Sequence, residues 1–419
     1  MPAAIKPVAT IAILGDGLVR WGGGIDLLRT LLTGICAAPL ESRSIFLVLP
    51  REDWRYKTFL AATQVRNWLT GLFSRSDQRP SARTRPTDRE LERTFAPYTD
   101  CVRIRFYDGS FQGLIVTLRE IKADVVFPCL TSLGKAFPVP WVGYLLDFQH
   151  RHLPHLFNRL ERHYRQRKFS RVLRDAAIVV VNARAVQADV LCFHPETRAT
   201  IIALPFTPSI RAEWLNADPS DTRNRYGLPA LYFIVCNQFW VHKDHETAFR
   251  AFALFLASLS QGDQIHLVCT GGMHDYRAPA YLDRIKQLLV DLNISRSVHL
   301  LGHIAKEDQI ALIRGSIAVI QPTLFEGGPG GGAIYDAVAL GVPGLVSDIP
   351  VNREIDDPQI SYFNPGDVEG LFRLMVRART MPRPQLDNTT MISRSNDRLR
   401  KLGQALDGAF RAALEEHLS

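Results

Sequence analysis

Two carboxylates flank a run of nearly bare backbone about three-quarters of the way along the chain. In LFEGGPGGGAIYDAVALGVP (324–343), Glu326 precedes the glycines and Asp336 follows them. Gly327, Gly328, Gly330, Gly331 and Gly332 leave main-chain N–H groups uncovered at the start of a helix, and such amides attract an anion. Glu326 cannot serve a phosphate, but a carboxylate accepts hydrogen bonds from hydroxyls. Asp336, read in the first helical turn, either does the same or simply favours the positive end of the helix, an effect of about 0.3–1 kcal/mol. Together these residues suit a ligand with a diphosphate centre and hydroxyl-rich groups on both sides. A nucleotide sugar has that form.

Three further constellations carry chemistry. GDGLVRWGGGIDLLRTLL (15–32) begins like a dinucleotide fingerprint, but Arg20 occupies the third glycine position. Gly23 and Gly24 instead run into a helix, where they either face an anion or form a plain tight turn. LLDFQHRHLPHLF (145–157) places Asp147, His150 and His152 just past a strand, where a histidine can hydrogen-bond a substrate hydroxyl. Its spacing is poor for zinc, because no second ligand cluster accompanies it. VCNQFWVHKDHETAF (235–249) puts Lys243 in a strand-to-helix loop, where an ammonium meets phosphate as a point charge, with Asp244 as the helix N-cap. A lone lysine there is otherwise a solvated surface group.

The elements that position these residues follow from apolar periodicity. Strands are expected at 8–14, 45–49, 102–106, 124–128, 141–146, 177–181 and 200–204, and again at 231–236, 265–269, 298–301, 317–321, 344–347 and 360–363. Continuous apolar runs of this length suit parallel strands covered on both faces. Helical stretches such as 246–259 and 281–292 alternate with them, giving the βαβ pattern of doubly wound sheets. A Pro-, Asp- and Asn-rich stretch divides the two sets. The expected organisation is a first Rossmann-like domain over 1–205, a linker over 206–229, a second such domain over 230–392, and a C-terminal amphipathic helix over 393–419 that crosses back to the first domain. Ligands of such sheets bind at the strand carboxyl ends, here around one central cleft.

The 419 residues suffice for two domains, and 46% hydrophobic against 22% charged residues is a globular composition. No apolar run approaches a membrane span, and the amino-terminal residues lack a secretory layout. A cytoplasmic protein is expected. The six cysteines are scattered without CxxC spacing, which suits small core residues or free thiols in a reducing compartment. A formal charge of +8 favours an anionic partner. Two stretches concentrate it, Arg151–Arg174 and Arg66–Arg93, read either as solvated surfaces or as docking sites for an anionic membrane face.

At these residues the chain resembles retaining glycosyltransferases of the GT-B fold, family 4. YDAVALGVP followed by GLVSDIPVNREI fits the family's closing pattern, and VHLLGHIAKEDQIALIRGS, LLDFQHRHLP and WGGGIDLLRTLL resemble further family segments. The resemblance implies that Glu326 holds donor-sugar hydroxyls and Asp336 the nucleotide ribose. It implies that Lys243 meets the diphosphate, and that His303 and Ile304 lie by the base. It also gives His150 an active-site role beside Asp147, and lets Asn182 line the acceptor side. The chain departs from the pattern in two ways. Nine residues separate the two acids instead of seven, and the second acid is Asp. Asn237 stands where the family's basic pair has Arg, which leaves it able only to hydrogen-bond.

The implied activity moves a sugar from a nucleoside diphosphate donor, UDP- or GDP-sugar, to a hydroxyl of a glycan, lipid-linked or polysaccharide acceptor. Configuration is retained, and no cofactor or metal is expected because no Asp-x-Asp occurs. Two rival readings remain: a catalytically silent nucleotide-sugar binder, and a GT-B epimerase that would act on the donor alone. No nucleic-acid module is present.

Overall fold

The computed structural model describes residues 9–20, 22–38, 43–51, 86–260, 264–381 and 386–418. It is an α/β structure with two all-parallel sheets, and all thirteen expected strands form. The chain divides into two compact units. One comprises Met1–Leu146, Asn158–Pro205 and Leu399–Ser419; the other comprises Asp147–Phe157 and Phe206–Arg398.

The first unit contains β1 (Thr10–Leu14), β2 (Ser44–Pro50), β3 (Val102–Tyr107), β4 (Val125–Cys129), β5 (Trp141–Leu145), β6 (Ile178–Val181) and β7 (Thr200–Ala203), in the order β3-β2-β1-β4-β5-β6-β7. Their apolar runs are buried from end to end in β4, β5 and β6, as parallel strands covered on both faces must be. The helix Gly22–Ala37 buries Leu28, Leu31, Leu32 and Ile35 in this core. The tail of the helix Asn388–Leu418 adds Leu402, Leu406 and Phe410 to it. Those two helices meet where neither has a side chain: a Cβ on Gly403 would lie 2.1 Å from the Gly34 carbonyl oxygen. The helix begins at Asn388, five residues before the start read from periodicity.

The second unit contains β8 (Leu231–Cys236), β9 (Ile265–Thr270), β10 (Val298–Gly302), β11 (Val319–Gln321), β12 (Gly344–Ser347) and β13 (Ile360–Phe363), in the order β10-β9-β8-β11-β12-β13. Phe233, Phe249, Phe252 and Phe255 pack one side of this sheet; Tyr232, Ile234, Ile334 and Val338 pack the other.

Three features differ from the sequence reading. The stretch 206–229 is folded: the helix Pro219–Arg225 packs in this unit, Leu215 and Leu228 enter its core, and Arg314 Nη1 donates to the carbonyls of Leu215 and Ala217. Residues 147–157, expected in the first domain, cluster with the second unit. Cys36 and Cys101 form a disulfide with Cα atoms 6.3 Å apart; their sequence separation of 65 hides the pairing from any spacing rule. The arginine-rich stretch 66–93 lies outside the described residues except from Pro86 onward. Among the described residues, no helix is long and apolar enough to cross a membrane.

Candidate active site

β8 and β11 are neighbours from which the sheet order departs in opposite directions, so the loops leaving their carboxyl ends open at a topological switch point. Four polar side chains meet there. Asn237 Nδ2 donates to Gln321 Oε1 at 2.8 Å, and Gln321 Nε2 donates to Glu326 Oε1 at 2.8 Å. Lys243 Nζ donates to the same Glu326 oxygen at 2.5 Å. The Lys243 and Glu326 side chains are only 12% and 9% exposed. A lone charge at that depth would be strongly disfavoured, so each is held by the other. Gln321, fully buried at the end of β11, escaped the sequence reading. Its signal was a polar side chain closing the apolar run IAVIQ.

Local structure fixes the lysine. Val241–Lys243 form one 3-10 turn, and Asp244, left-handed at φ 48°, caps the helix His245–Ala257 through Thr247. Burial pushes the Asp244 carboxyl up against the pull of those hydrogen bonds. Leu324 N and Thr323 Oγ1 both donate to the His242 carbonyl, at 2.8 and 3.2 Å, tying the loop after β11 to the loop after β8. Burial, with the nearby charges of Lys243 and Arg277, pushes the His242 imidazole down to about 2, so it is neutral.

The glycine run has two different jobs. Gly330 and Gly331 are left-handed, at φ +66° and +58°. A Cβ on Gly331 would sit 3.1 Å from Glu326 Oε2 and 3.2 Å from Gln321 Nε2, so only glycine leaves those groups in place. Gly330 N donates to Asn352 Oδ1 at 2.6 Å, and Asn352 Nδ2 donates to the Ser347 carbonyl at 2.9 Å. The Gly330 amide therefore anchors the loop. Asn352, buried and unremarked in the sequence reading, is the anchor. The helix Gly331–Leu340 follows, and its first turn presents N–H groups of Gly332 and Ala333 that have no partner within the helix. Gly332 is exposed, and Gly327 and Gly328 are half-buried.

Because the helix begins at Gly331, Asp336 lies in its second turn and not its first, too far along to owe its place to the helix dipole. It is buried, 5% exposed, and accepts from Lys306 Nζ at 2.5 Å and Gln309 Nε2 at 3.4 Å. The Lys306 ammonium also stands 5.5 Å from the Trp214 ring centre. Lys306, an ordinary surface lysine by sequence, links Asp336 to the segment holding His303, which is exposed, and Ile304, which is buried.

Asp147 Oδ1 accepts from Gln149 N at 2.9 Å. His150, expected at the mouth of a cleft, is 2% exposed, with ring centres of Phe148 at 6.1 Å and Phe157 at 6.5 Å. The ring of His152 instead lies 5.4 Å from Phe325, next to Glu326. In the first unit Gly23 is exposed and Gly24 buried at the start of their helix. Asn182 accepts from the Tyr144 hydroxyl and donates to the Leu146 carbonyl at 3.0 Å, so its amide is engaged in closing the ends of β5 and β6. Among the described residues, no group of three or more His, Cys, Asp or Glu is placed to hold a metal ion.

Residues 223–373, which contain every strand of the second sheet, match the family model described as glycosyl transferases group 1. They form a glycosyltransferase domain. No curated protein sequence matches the chain. Among solved structures, sucrose-phosphate synthase from Thermosynechococcus elongatus is similar at TM-score 0.57 and 15% identity, covering 97% of each chain. HepE from Anabaena, solved with UDP and glucose, is similar at TM-score 0.56 and 16% identity, over 98% of this chain and 99% of that one. The UDP-forming α,α-trehalose-phosphate synthase from Burkholderia xenovorans, solved with glucose-6-phosphate, gives 0.56 and 14% over 98% and 100%. The glycosyltransferase's two-sheet architecture is thus the GT-B fold.

Proposed function

We propose that this glycosyltransferase moves a sugar from a nucleoside diphosphate sugar, UDP- or GDP-linked, to a hydroxyl of a glycan, lipid-linked or polysaccharide acceptor, as a family 4 enzyme that retains anomeric configuration. The observation that carries this is the Asn237–Gln321–Glu326–Lys243 cluster at the switch point of the second sheet, beside a helix start whose Gly332 and Ala333 amides have no partner within the helix. In this reading the Lys243 ammonium leaves Glu326 for the donor diphosphate as the charge of the leaving group grows. The freed Glu326 carboxylate then accepts from sugar hydroxyls. Gly332, Ala333, Gly327 and Gly328 supply amides to the phosphates. Asp336, oriented by Lys306, takes the ribose, and the backbone at 302–304 takes the base. His150 and Asp147 bear on the acceptor. We assign no carboxylate the role of nucleophile; in this reading attack comes from the face of the departing phosphate, which accepts the acceptor's proton. The similar structure solved with UDP supports a UDP-sugar as the donor.

A thermal-shift screen of UDP-, GDP-, ADP- and dTDP-sugars tests the donor, since a ligand of the folded state raises its melting temperature. NMR of the product tests the stereochemistry; an inverted linkage would overturn the mechanism. We further place the enzyme at an anionic membrane face. The helix Arg159–Asp175 exposes Leu160 (69%) and Tyr164 (57%) among its arginines, a composition suited to anionic lipid. Failure to float with anionic liposomes at low salt would remove that placement.

A further inference from the structure

Arg277 lies in the loop after β9, outside every motif singled out above, and its guanidinium is 9% exposed. Nε donates to Asp275 Oδ1 at 3.4 Å, and the Arg277 main-chain N donates to the same oxygen at 3.0 Å. Asp275 Oδ2 accepts from Val241 N at 3.2 Å. Of the two terminal nitrogens, Nη1 donates to Gln149 Oε1 at 3.3 Å and Nη2 lies 3.4 Å from His242 Nδ1. The rings of Trp240, Phe157 and Tyr276 stand 5.4, 5.5 and 5.6 Å from its central carbon. A neutral His242 accepts at Nδ1, which an imidazolium could not do.

A planar fork of donors reaches three directions at once; a lysine ammonium in the same place would reach one or two without fixing their relative orientation. Here the three directions lead to Asp275, to the segment 147–157 and to the loop 240–243. The second of these bears Asp147 and His150, and the third bears Lys243. Arg277 does not replace the arginine missing at position 237, because its charge is already balanced by Asp275.

We infer that Arg277 is a positioning residue for sugar transfer: through Gln149 and His242 it fixes the segment bearing Asp147 and His150 against the loop bearing Lys243. This rests on the donor-site reading given above. A misplacement of about 1 Å can lower a rate by ~100-fold, and that sets the scale of the effect.

The test measures kcat and donor KM for Arg277→Lys, Arg277→Ala and Gln149→Ala, with the sugar nucleotide selected by the thermal-shift screen. Arg277→Lys and Arg277→Ala are expected to lower kcat by about 10- to 100-fold with donor KM unchanged within about threefold. Gln149→Ala leaves no buried charge behind; it is expected to lower kcat by about 3- to 10-fold at an unchanged melting temperature. Millimolar guanidinium chloride restores turnover to Arg277→Ala, and sodium chloride at the same concentration does not. Should Arg277→Ala fail to fold, the other two variants decide. Wild-type kcat in both overturns the inference. So does a raised donor KM at unchanged kcat, which would make Arg277 a direct donor contact. Lys243→Ala and Glu326→Ala run alongside: if they too keep full turnover, the donor-site reading fails; if only they lose it, this inference alone fails.

Discussion

Lys243 and Glu326 form an ion pair whose two halves should behave differently towards stability and towards catalysis. Replacing Lys243 by Met removes the ammonium and leaves the Glu326 carboxylate, 9% exposed, with Gln321 Nε2 as its remaining donor. Breaking a fully buried pair from one side costs about 3–5 kcal/mol; with both side chains about nine-tenths buried, ~2–4 kcal/mol is expected. In the double variant Lys243→Met/Glu326→Gln no charge is left behind. The amide that replaces the carboxylate still accepts from Gln321, and the loss should shrink to within about 1 kcal/mol of the native chain. Turnover should not recover. Loss of a cation at a developing oxyanion removes about 3–4 kcal/mol of transition-state stabilisation, or ~100- to 1,000-fold in kcat. Both variants should share that deficit. Urea unfolding followed by tryptophan fluorescence reads the first quantity, and nucleoside diphosphate release at saturating donor reads the second. Turnover by Lys243→Met within about threefold of the native rate would refute the catalytic assignment. A double variant as unstable as the single one would refute the coupling.

Gly331→Ala forces a left-handed alanine, at about 1–2 kcal/mol, and pushes a methyl against Glu326, so both stability and kcat/KM should fall. Gly408→Ala, on an exposed turn of the C-terminal helix with nothing near its Cβ, should instead gain ~0.5–1 kcal/mol without altering turnover. Burial, with the charge of Lys243, holds the His245 imidazole down to about 3, and the same cause holds His242 near 2. The unfolded chain takes up protons at both sites below about pH 6.5 and the folded chain does not. Stability is therefore whole above pH 6.5 and falls as pH drops, by about 2 kcal/mol per histidine at pH 5. Urea midpoints at pH 7.5 and 5 should show His245→Phe losing about half of that dependence; an unchanged slope contradicts the assignment. The Cys36–Cys101 bond closes 65 residues, worth up to about 4 kcal/mol on loop entropy. Dithiothreitol should lower the unfolding midpoint of the native chain and leave Cys36→Ser unaffected.

Strands and sheet class are legible because continuous apolar runs admit few alternatives, and the placing of Lys243 and Glu326 in loops at strand carboxyl ends follows from them; the switch point itself needs the strand order. What stayed hidden was pairing across long sequence separations. Gln321, Asn352, Lys306 and Arg277 are ordinary polar residues in the sequence. Each acquires its role from a partner brought near by the fold: Asn237, Gly330, Asp336 and Gln149 respectively. Asp336 was misplaced by one turn because nothing local distinguishes a loop glycine from the first glycine of a helix. The sequence leaves His150 open at a strand end, because its flanking Phe148 and Phe157 give no sign of closing over it.

The close approach of Gly34 and Gly403 has a consequence for how the molecule is made. Leu402, Leu406 and Phe410 belong to the core built on β1 and β4, and burying three such side chains contributes roughly 5–9 kcal/mol, comparable to the whole stability of a domain. During synthesis the second unit has all its residues once Arg398 has emerged. The first unit, whose strands are translated earliest, must wait for the last helix to arrive. The unit begun first is thus completed last, and a chain cut after Arg398 would keep every residue of the second unit while baring the apolar surface that Leu402, Leu406 and Phe410 cover in the first.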